Sequence, residues 1–230
     1  MQLLPLTPKQ SLNKAYLKEK VTRSSIEIFK KNLIEFPDGI NENESEEYVK
    51  NLVTKFLYDT YYNDKNQINT KGRIDLAIYE DKKPVVILEA KRPKSTDMVS
   101  VDNLNTKATH ELMLYYLQER VDHSNIDIKY LIITNTYEWF VFDASVFDYL
   151  FYKSSALMKD FIDWKSGRKA RPDRNLFYND IAKPFIKGLK EEIKFTYFDL
   201  REVTEFARNS NLKMILTSST FSRYFRLRIY

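Results

Sequence analysis

The stretch from Gly72 to Lys94 constrains this chain more than any other. It reads Gly72-Arg73-Ile74-Asp75-Leu76-Ala77-Ile78-Tyr79, then a polar turn at residues 80–83, then Pro84-Val85-Val86-Ile87-Leu88-Glu89-Ala90-Lys91-Arg92-Pro93-Lys94. Two short apolar runs around a polar turn predict neighbouring strands of one sheet, a hairpin. Side chains alternate faces along a strand, so Ile74, Leu76 and Ile78 share one face and Asp75 lies on the other. In the second strand Glu89 and Lys91 share a face, and Val86, Leu88 and Ala90 take the opposite one. In the simplest register Asp75, Glu89 and Lys91 converge on one spot. Two carboxylates held together repel, and a divalent cation bound through oxygen relieves that repulsion. A lysine beside them suits an anion or an attacking water, so the pattern points to a metal site for phosphodiester hydrolysis.

An acid, any residue and a lysine is by itself a cheap pattern. It also occurs at Glu80/Lys82, Asp81/Lys83, Asp127/Lys129 and Glu192/Lys194. Only Glu89 and Lys91 end an apolar strand and have an aspartate inside a preceding strand. The plainer reading is a solvated strand end, and Asp75 in mid-strand favours the site.

Composition removes several classes of function. Cysteine is absent and only His110 and His123 carry imidazole, which excludes disulfides, cysteine nucleophiles and Cys/His zinc sites. Glycine is scarce and no phosphate-loop or dinucleotide fingerprint occurs, so a nucleotide fold has no support. The 37 basic and 32 acidic residues give a formal charge of +5, which permits nucleic-acid binding without requiring it. No run approaches membrane-spanning length and the N-terminus lacks the order of a signal peptide, so a cytoplasmic protein with no membrane partner is the expectation.

Taken in order, the chain predicts a helix over residues 11–31 and a second from Asn43–Ser45, with Val49, Leu52, Val53, Phe56, Leu57 and Thr60 as its buried stripe. Glu46 and Glu47 open that second helix, either as favourable charge at its positive end or with one of them in a catalytic role. A long helix follows over 96–120, apolar nearly all round in its second half. Strands are expected at 126–134 and 139–142. Beyond residue 144 the chain reads as helical, over 146–164, 176–193 and 199–208, with an apolar stretch at 195–198. Residues 211–230 alternate weakly and receive no assignment. Arg168, Lys169, Arg171 and Arg174 form the densest basic stretch, readable as a solvated loop or as a patch for DNA phosphates. The expected fold is α/β: a mixed sheet flanked by helices over 1–144, with a mainly helical extension or connector over 145–230.

The order acidic helix, Asp75 strand, Glu89-Ala90-Lys91 resembles the PD-(D/E)xK nuclease superfamily, whose restriction-endonuclease-like fold is such a sheet. The resemblance implies that Asp75 and Glu89, with the Ala90 carbonyl, hold Mg²⁺ (or Mn²⁺), and that Lys91 orients or deprotonates the attacking water. Because nearby carboxylates raise a lysine pKa, the orienting role is preferred. The superfamily's proline before the aspartate is here Ile74. A glutamate from an early helix maps to Glu46 or Glu47, with Glu47 chosen. The Q-x-x-x-Y motif of restriction-type relatives maps to Glu111-Leu112-Met113-Leu114-Tyr115, where glutamate stands in place of glutamine and Tyr115 reads more plainly as helix core.

Residues 6–18, 132–143 and 181–184 are also similar to parts of bacterial type II restriction-modification enzymes of the fused type IIG kind. In those a nuclease domain precedes a helical connector, an adenine methyltransferase and a recognition domain. No N-P-P-[YF] signature occurs here, so the expectation is the endonuclease part, acting on double-stranded DNA, with methyltransferase and specificity domains outside this chain. Double-strand cleavage by such domains implies a transient homodimer. The alternative is a catalytically silent module that keeps the fold and binds DNA or a partner subunit.

Overall fold

A computed structural model describes residues 2–12, 22–62, 67–71, 74–168 and 173–209, with backbone alone at 67, 70, 71 and 75. Seven strands form one mixed sheet: β1 (Gln2–Leu6), β2 (Gln67–Lys71), β3 (Ile74–Glu80), β4 (Lys83–Ala90), β5 (Tyr130–Thr134), β6 (Glu138–Asp143) and β7 (Glu192–Asp199). Their order across the sheet is β1-β7-β6-β5-β4-β3-β2. The expected hairpin is β3–β4, antiparallel, with Leu76 opposite Leu88 and Ala77 opposite Ile87. Asp81 and Lys82 turn it with positive φ. β4 and β5 are parallel, and β5–β6 and β6–β7 antiparallel.

The helices are α1 (Pro8–Ser11), α2 (Arg23–Asp38), α3 (Glu46–Leu57), α4 (Lys107–Asp122), α5 (Ala144–Phe147), α6 (Ser155–Lys165), α7 (Arg174–Leu176), α8 (Lys183–Gly188) and α9 (Leu200–Asn209). Strand alternation sorts the core into two layers. Leu76, Ile78, Val86, Leu88, Ile132 and Val141 pack with Ile26, Leu33, Val53 and Phe56 of α2 and α3. Ala77, Ile87, Leu131, Ile133, Phe140 and Phe142 pack with Leu112, Met113 and Leu117 of α4 and with the helices after β6. The fold is thus α/β with helices on both faces. α4, buried over most of its surface, makes the crossover between parallel β4 and β5 and lies against both strands.

Three expectations shift. α4 starts at Lys107 instead of residue 96, because Ser100 and Asn103 close a tight turn on each other and Asn103 Oδ1 accepts from the Asn105 amide. Asparagine side chains that bond the backbone compete with helix in this way. β5 starts at Tyr130, since Asn125 Oδ1 caps Asp127 N and leaves Ile126 exposed. The stretch beyond residue 144, expected to be mainly helical, also contains a strand. β7 returns to the sheet between β6 and β1, and Phe195 packs on Phe140 and Phe142. The first part of the predicted helix over 11–31 and the unassigned residues 211–230 lie outside the described residues. No described helix is long and apolar enough to cross a membrane.

Candidate active site

The site forms where β4 ends. Lys91 follows the strand by one residue, and its amide donates to the Thr134 carbonyl at 2.8 Å, carrying the parallel β4–β5 ladder one step further. The open side of two parallel strands, next to their crossover helix, is where α/β sheets gather ligands. Side-chain alternation sends Glu89 and Lys91 toward α4, and α4 answers with Glu111.

The result is a buried acid–lysine–acid bridge. Lys91 Nζ lies 2.6 Å from Glu89 Oε1 and donates to Glu111 Oε2, also at 2.6 Å. The side chains are 3%, 1% and 12% exposed in the order Lys91, Glu89, Glu111. Glu46, at the start of α3, brings a third carboxylate to 4.0 Å of the same ammonium. Burial alone draws the Lys91 pKa down, but Glu89 and Glu111 more than reverse it, so the net shift is upward and the group stays an ammonium. Lys107, one turn before Glu111, lies 3.9 Å from its other oxygen and 3.6 Å from Asp97.

Asp75 sits in β3 as expected, and its backbone position follows from the register. One step beyond the Leu76–Leu88 pair, Asp75 and Glu89 are the next residues on the two strands. Its side chain lies outside the described atoms. Ala90 is buried, its Cα paired with Thr134. Among the described residues no group of three or more His, Asp or Glu forms a ready metal cage, because Lys91 stands between the carboxylates. Carboxylate oxygens such as those of Glu46, Glu89 and Glu111, which surround one ammonium, are the donor type a hard divalent cation takes.

The acid of α3 is the other member of its pair. Glu47 is 68% exposed and lies 3.8 Å from Lys50, whereas Glu46 is 39% exposed and faces Lys91. Helical phase carried this information. Glu46 is in line with the buried Val49, Val53 and Phe56, while Glu47 is in line with Lys50 and Thr54. Ser45 sets the phase, its side chain accepting from the Tyr48 amide as N-cap. Tyr115 is helix core, as its plainer reading had it, with the Arg174 guanidinium 5.6 Å from its ring centre.

Of the basic stretch, Lys169 and Arg171 lie outside the described residues. Arg168 is exposed and pairs with Asp163 at 3.1 Å, so its charge is partly answered within the chain. His110 was not singled out as a site residue, yet it lies one position from Glu111. Burial first, and then Lys183, pull its pKa down to about 4. As a neutral ring it donates from Nε2 to Asn105 Oδ1 at 2.7 Å, because the Asn105 amide nitrogen is committed to the Lys183 carbonyl.

Fold and site together define an α/β protein with an acid–lysine–acid bridge buried at the end of a central strand. The chain belongs to the family described as a domain of unknown function (DUF7149), whose match spans residues 6–225. Comparisons with curated proteins and with solved structures found no match.

Proposed function

We propose that this protein is a metal-dependent endonuclease that hydrolyses DNA phosphodiester bonds, as the nuclease part of a restriction-modification system. The observation that carries the reading is Lys91, buried and held between Glu89 and Glu111 at the end of β4, two residues beyond the Glu89 position with which Asp75 comes level. Asp75 and Glu89, with the Ala90 carbonyl, would hold Mg²⁺ or Mn²⁺. Such an ion polarises the phosphate and lowers the pKa of a bound water.

The chain's own groups divide the remaining work. Lys91 is no general base, since two carboxylates keep its proton in place. It orients the water or a phosphate oxygen and offsets charge as the phosphorus–oxygen bond breaks. Glu111 fixes the ammonium from the helix side, and with Glu89 it takes two of the three N–H groups, which leaves the third for a water or a phosphate oxygen. Glu46 is the least buried of the three acids and so the one open to a substrate from solvent.

A second reading is a silent binding module, favoured by the fact that both carboxylate partners of Lys91 are already in place. One experiment separates the two. Supercoiled plasmid is incubated with Mg²⁺ or Mn²⁺ and wild type, Asp75→Asn, Glu89→Gln or Lys91→Met protein. Nicking by the wild type that is lost in all three variants supports the nuclease. A wild type that binds plasmid but leaves it intact with either metal supports the silent module.

A further inference from the structure

Two side chains beside the bridge have no role in that reading. Arg174 opens α7, and Tyr178 lies one turn later in the π-helical turn Phe177–Ala182 that continues it. The segment packs on α4, which places Arg174 over the Tyr115 ring and Tyr178 alongside His110. Tyr178 is close enough to Glu111, Arg174, Glu89 and Lys91 to feel the charge of all four. His110 and Tyr115 stand one and four residues from Glu111 on α4, so the pair borders the acid–lysine cluster.

Arg174 is half-buried and Tyr178 buried, and each holds buried polar atoms without the partners their chemistry calls for. Arg174 Nε and Nη2 are shielded from solvent, and neither finds a hydrogen-bond acceptor among the described residues. Tyr178 is 5% exposed, and its hydroxyl is likewise buried and unpartnered. A ring face under a guanidinium balances part of its charge but accepts none of its in-plane N–H groups. Glu111, an acceptor on α4, is directed elsewhere, toward Lys91 at 2.6 Å and Lys107 at 3.9 Å. Burying such donors unpaired is costly, and buried polar groups of this kind are ordinarily paired by protein, water or a bound ligand.

Tyr178 also lines a cavity of about 360 Å³, together with Asn175, Asn179, Lys107, Lys183 and Asp97. Lys107 and Lys183 outweigh Asp97 there, and His110 on the same wall is neutral, so the cavity is basic on balance. A planar guanidinium offering two neighbouring N–H groups matches two oxygens of a tetrahedral oxyanion, and a phenol O–H can reach a third group on the same anion. Burial, with Glu111 next in weight, raises the Tyr178 pKa, so its hydroxyl keeps its proton and donates.

We propose that Arg174 and Tyr178 form a phosphate subsite that grips the DNA phosphate neighbouring the one attacked beside Glu89 and Lys91. The assignment rests on the nuclease reading for the identity of the strand, but not for the anion chemistry. It converts one arginine of a generally basic stretch into a built contact and adds a tyrosine that no motif marks.

The test is fluorescence anisotropy of a short labelled duplex with Ca²⁺, using wild type, Arg174→Gln, Arg174→Lys and Tyr178→Phe, each checked for wild-type melting. Tyr178→Phe removes one oxygen and nothing else, so it remains informative if the arginine variants fold poorly. The expected result is binding weakened about tenfold in Arg174→Gln and in Tyr178→Phe. In Arg174→Gln the slope of log affinity against log salt also falls by about one. Arg174→Lys, with charge but no fork, is expected in between. Well-folded variants that bind the duplex within about twofold of wild type overturn the subsite, as does a wild type with no affinity for DNA. A parallel arm measures melting with inorganic phosphate or a mononucleotide. Stabilisation that requires Arg174, with duplex affinity unchanged in the variants, assigns the site to a free nucleotide and overturns the strand assignment. Cleavage is scored separately with Mg²⁺: weakened binding in the variants with no cutting by any protein leaves the subsite standing and removes the nuclease, whereas cutting with unaltered KM in the variants does the reverse.

Discussion

Replacing Lys91 by methionine tests the site through stability as well as activity. Methionine keeps the length of the side chain and removes the charge, leaving Glu89 and Glu111 facing each other in a nearly dry place. Both carboxylates contact the same ammonium at 2.6 Å. Their facing oxygens are therefore no more than about 5 Å apart, and at an effective dielectric constant near 20 the repulsion is roughly 3 kcal/mol. Protonating one of them relieves it, at a cost near pH 7 of about 3.7 kcal/mol for a glutamate of ordinary pKa. The expected loss at pH 7 is accordingly about 3–4 kcal/mol, within the range found when one partner of a buried ion pair is removed. The pH dependence has a definite sign. In wild type the Lys91 pKa is raised, so its stabilisation is complete below its unfolded value and is lost only as pH rises through the folded one, far above neutrality. In the variant the two carboxylates repel only while both are ionised, so the deficit belongs to higher pH and fades as pH falls toward about 4.3; at pH 5 it should be about 1 kcal/mol. Urea denaturation followed by circular dichroism at both pH values measures it. A companion Glu89→Met/Lys91→Met/Glu111→Leu variant, with no buried charge left at the bridge, should recover most of the stability and still fail to cut DNA. A deficit under about 1 kcal/mol at pH 7, or one equal at both pH values, would falsify the buried-bridge account.

Further outcomes follow from single contacts. Glu46→Gln should lower the cleavage rate by about tenfold or more, and Glu47→Gln by less than about twofold, since only Glu46 faces Lys91. An NMR titration should find the His110 ring neutral down to about pH 5, with stability falling as pH drops from about 6.5 toward 4 because the unfolded chain takes up the proton first; His110→Gln should flatten that limb. Trp139 is fully buried, stacks on Phe198 and donates to the Thr136 carbonyl at 3.0 Å, so Trp139→Ala should cost about 3–5 kcal/mol in a denaturation midpoint measurement. Ser45→Ala removes the cap of the helix that carries Glu46, with an expected loss of about 1 kcal/mol by thermal melting.

Legibility in the sequence followed the range of the interaction. The β3–β4 hairpin was readable because a short turn joins two short apolar strands, and a slip of one residue would move Leu76, Ile78, Val86 and Leu88 to the opposite face of the sheet. Glu89 and Lys91 were readable because the same alternation puts them on one face. The start of α4 was not, because the competing bonds of Ser100, Asn103 and Asn105 are local geometry that an apolar periodicity does not record. β7 was missed because helical spacing up to residue 193 and the short run at 195–198 compete in one segment. Its strand state is decided by pairing with β1 and β6, distant partners in the chain.

What the sequence by itself determined is the α/β class and the strand pair that carries Asp75, Glu89 and Lys91, since periods of two and 3.6 residues are properties of the backbone and act over neighbours. Only the tertiary structure decided which groups complete the site. Glu46 reaches Lys91 because α3 docks its buried stripe against β3 and β4, and Glu111 meets it because the crossover brings α4 over the end of β4. Arg174 and Tyr178 join them from a segment more than eighty residues further along the chain than β4, since packing on α4 brings it there. Such contacts depend on how elements dock, and docking is set by the whole core.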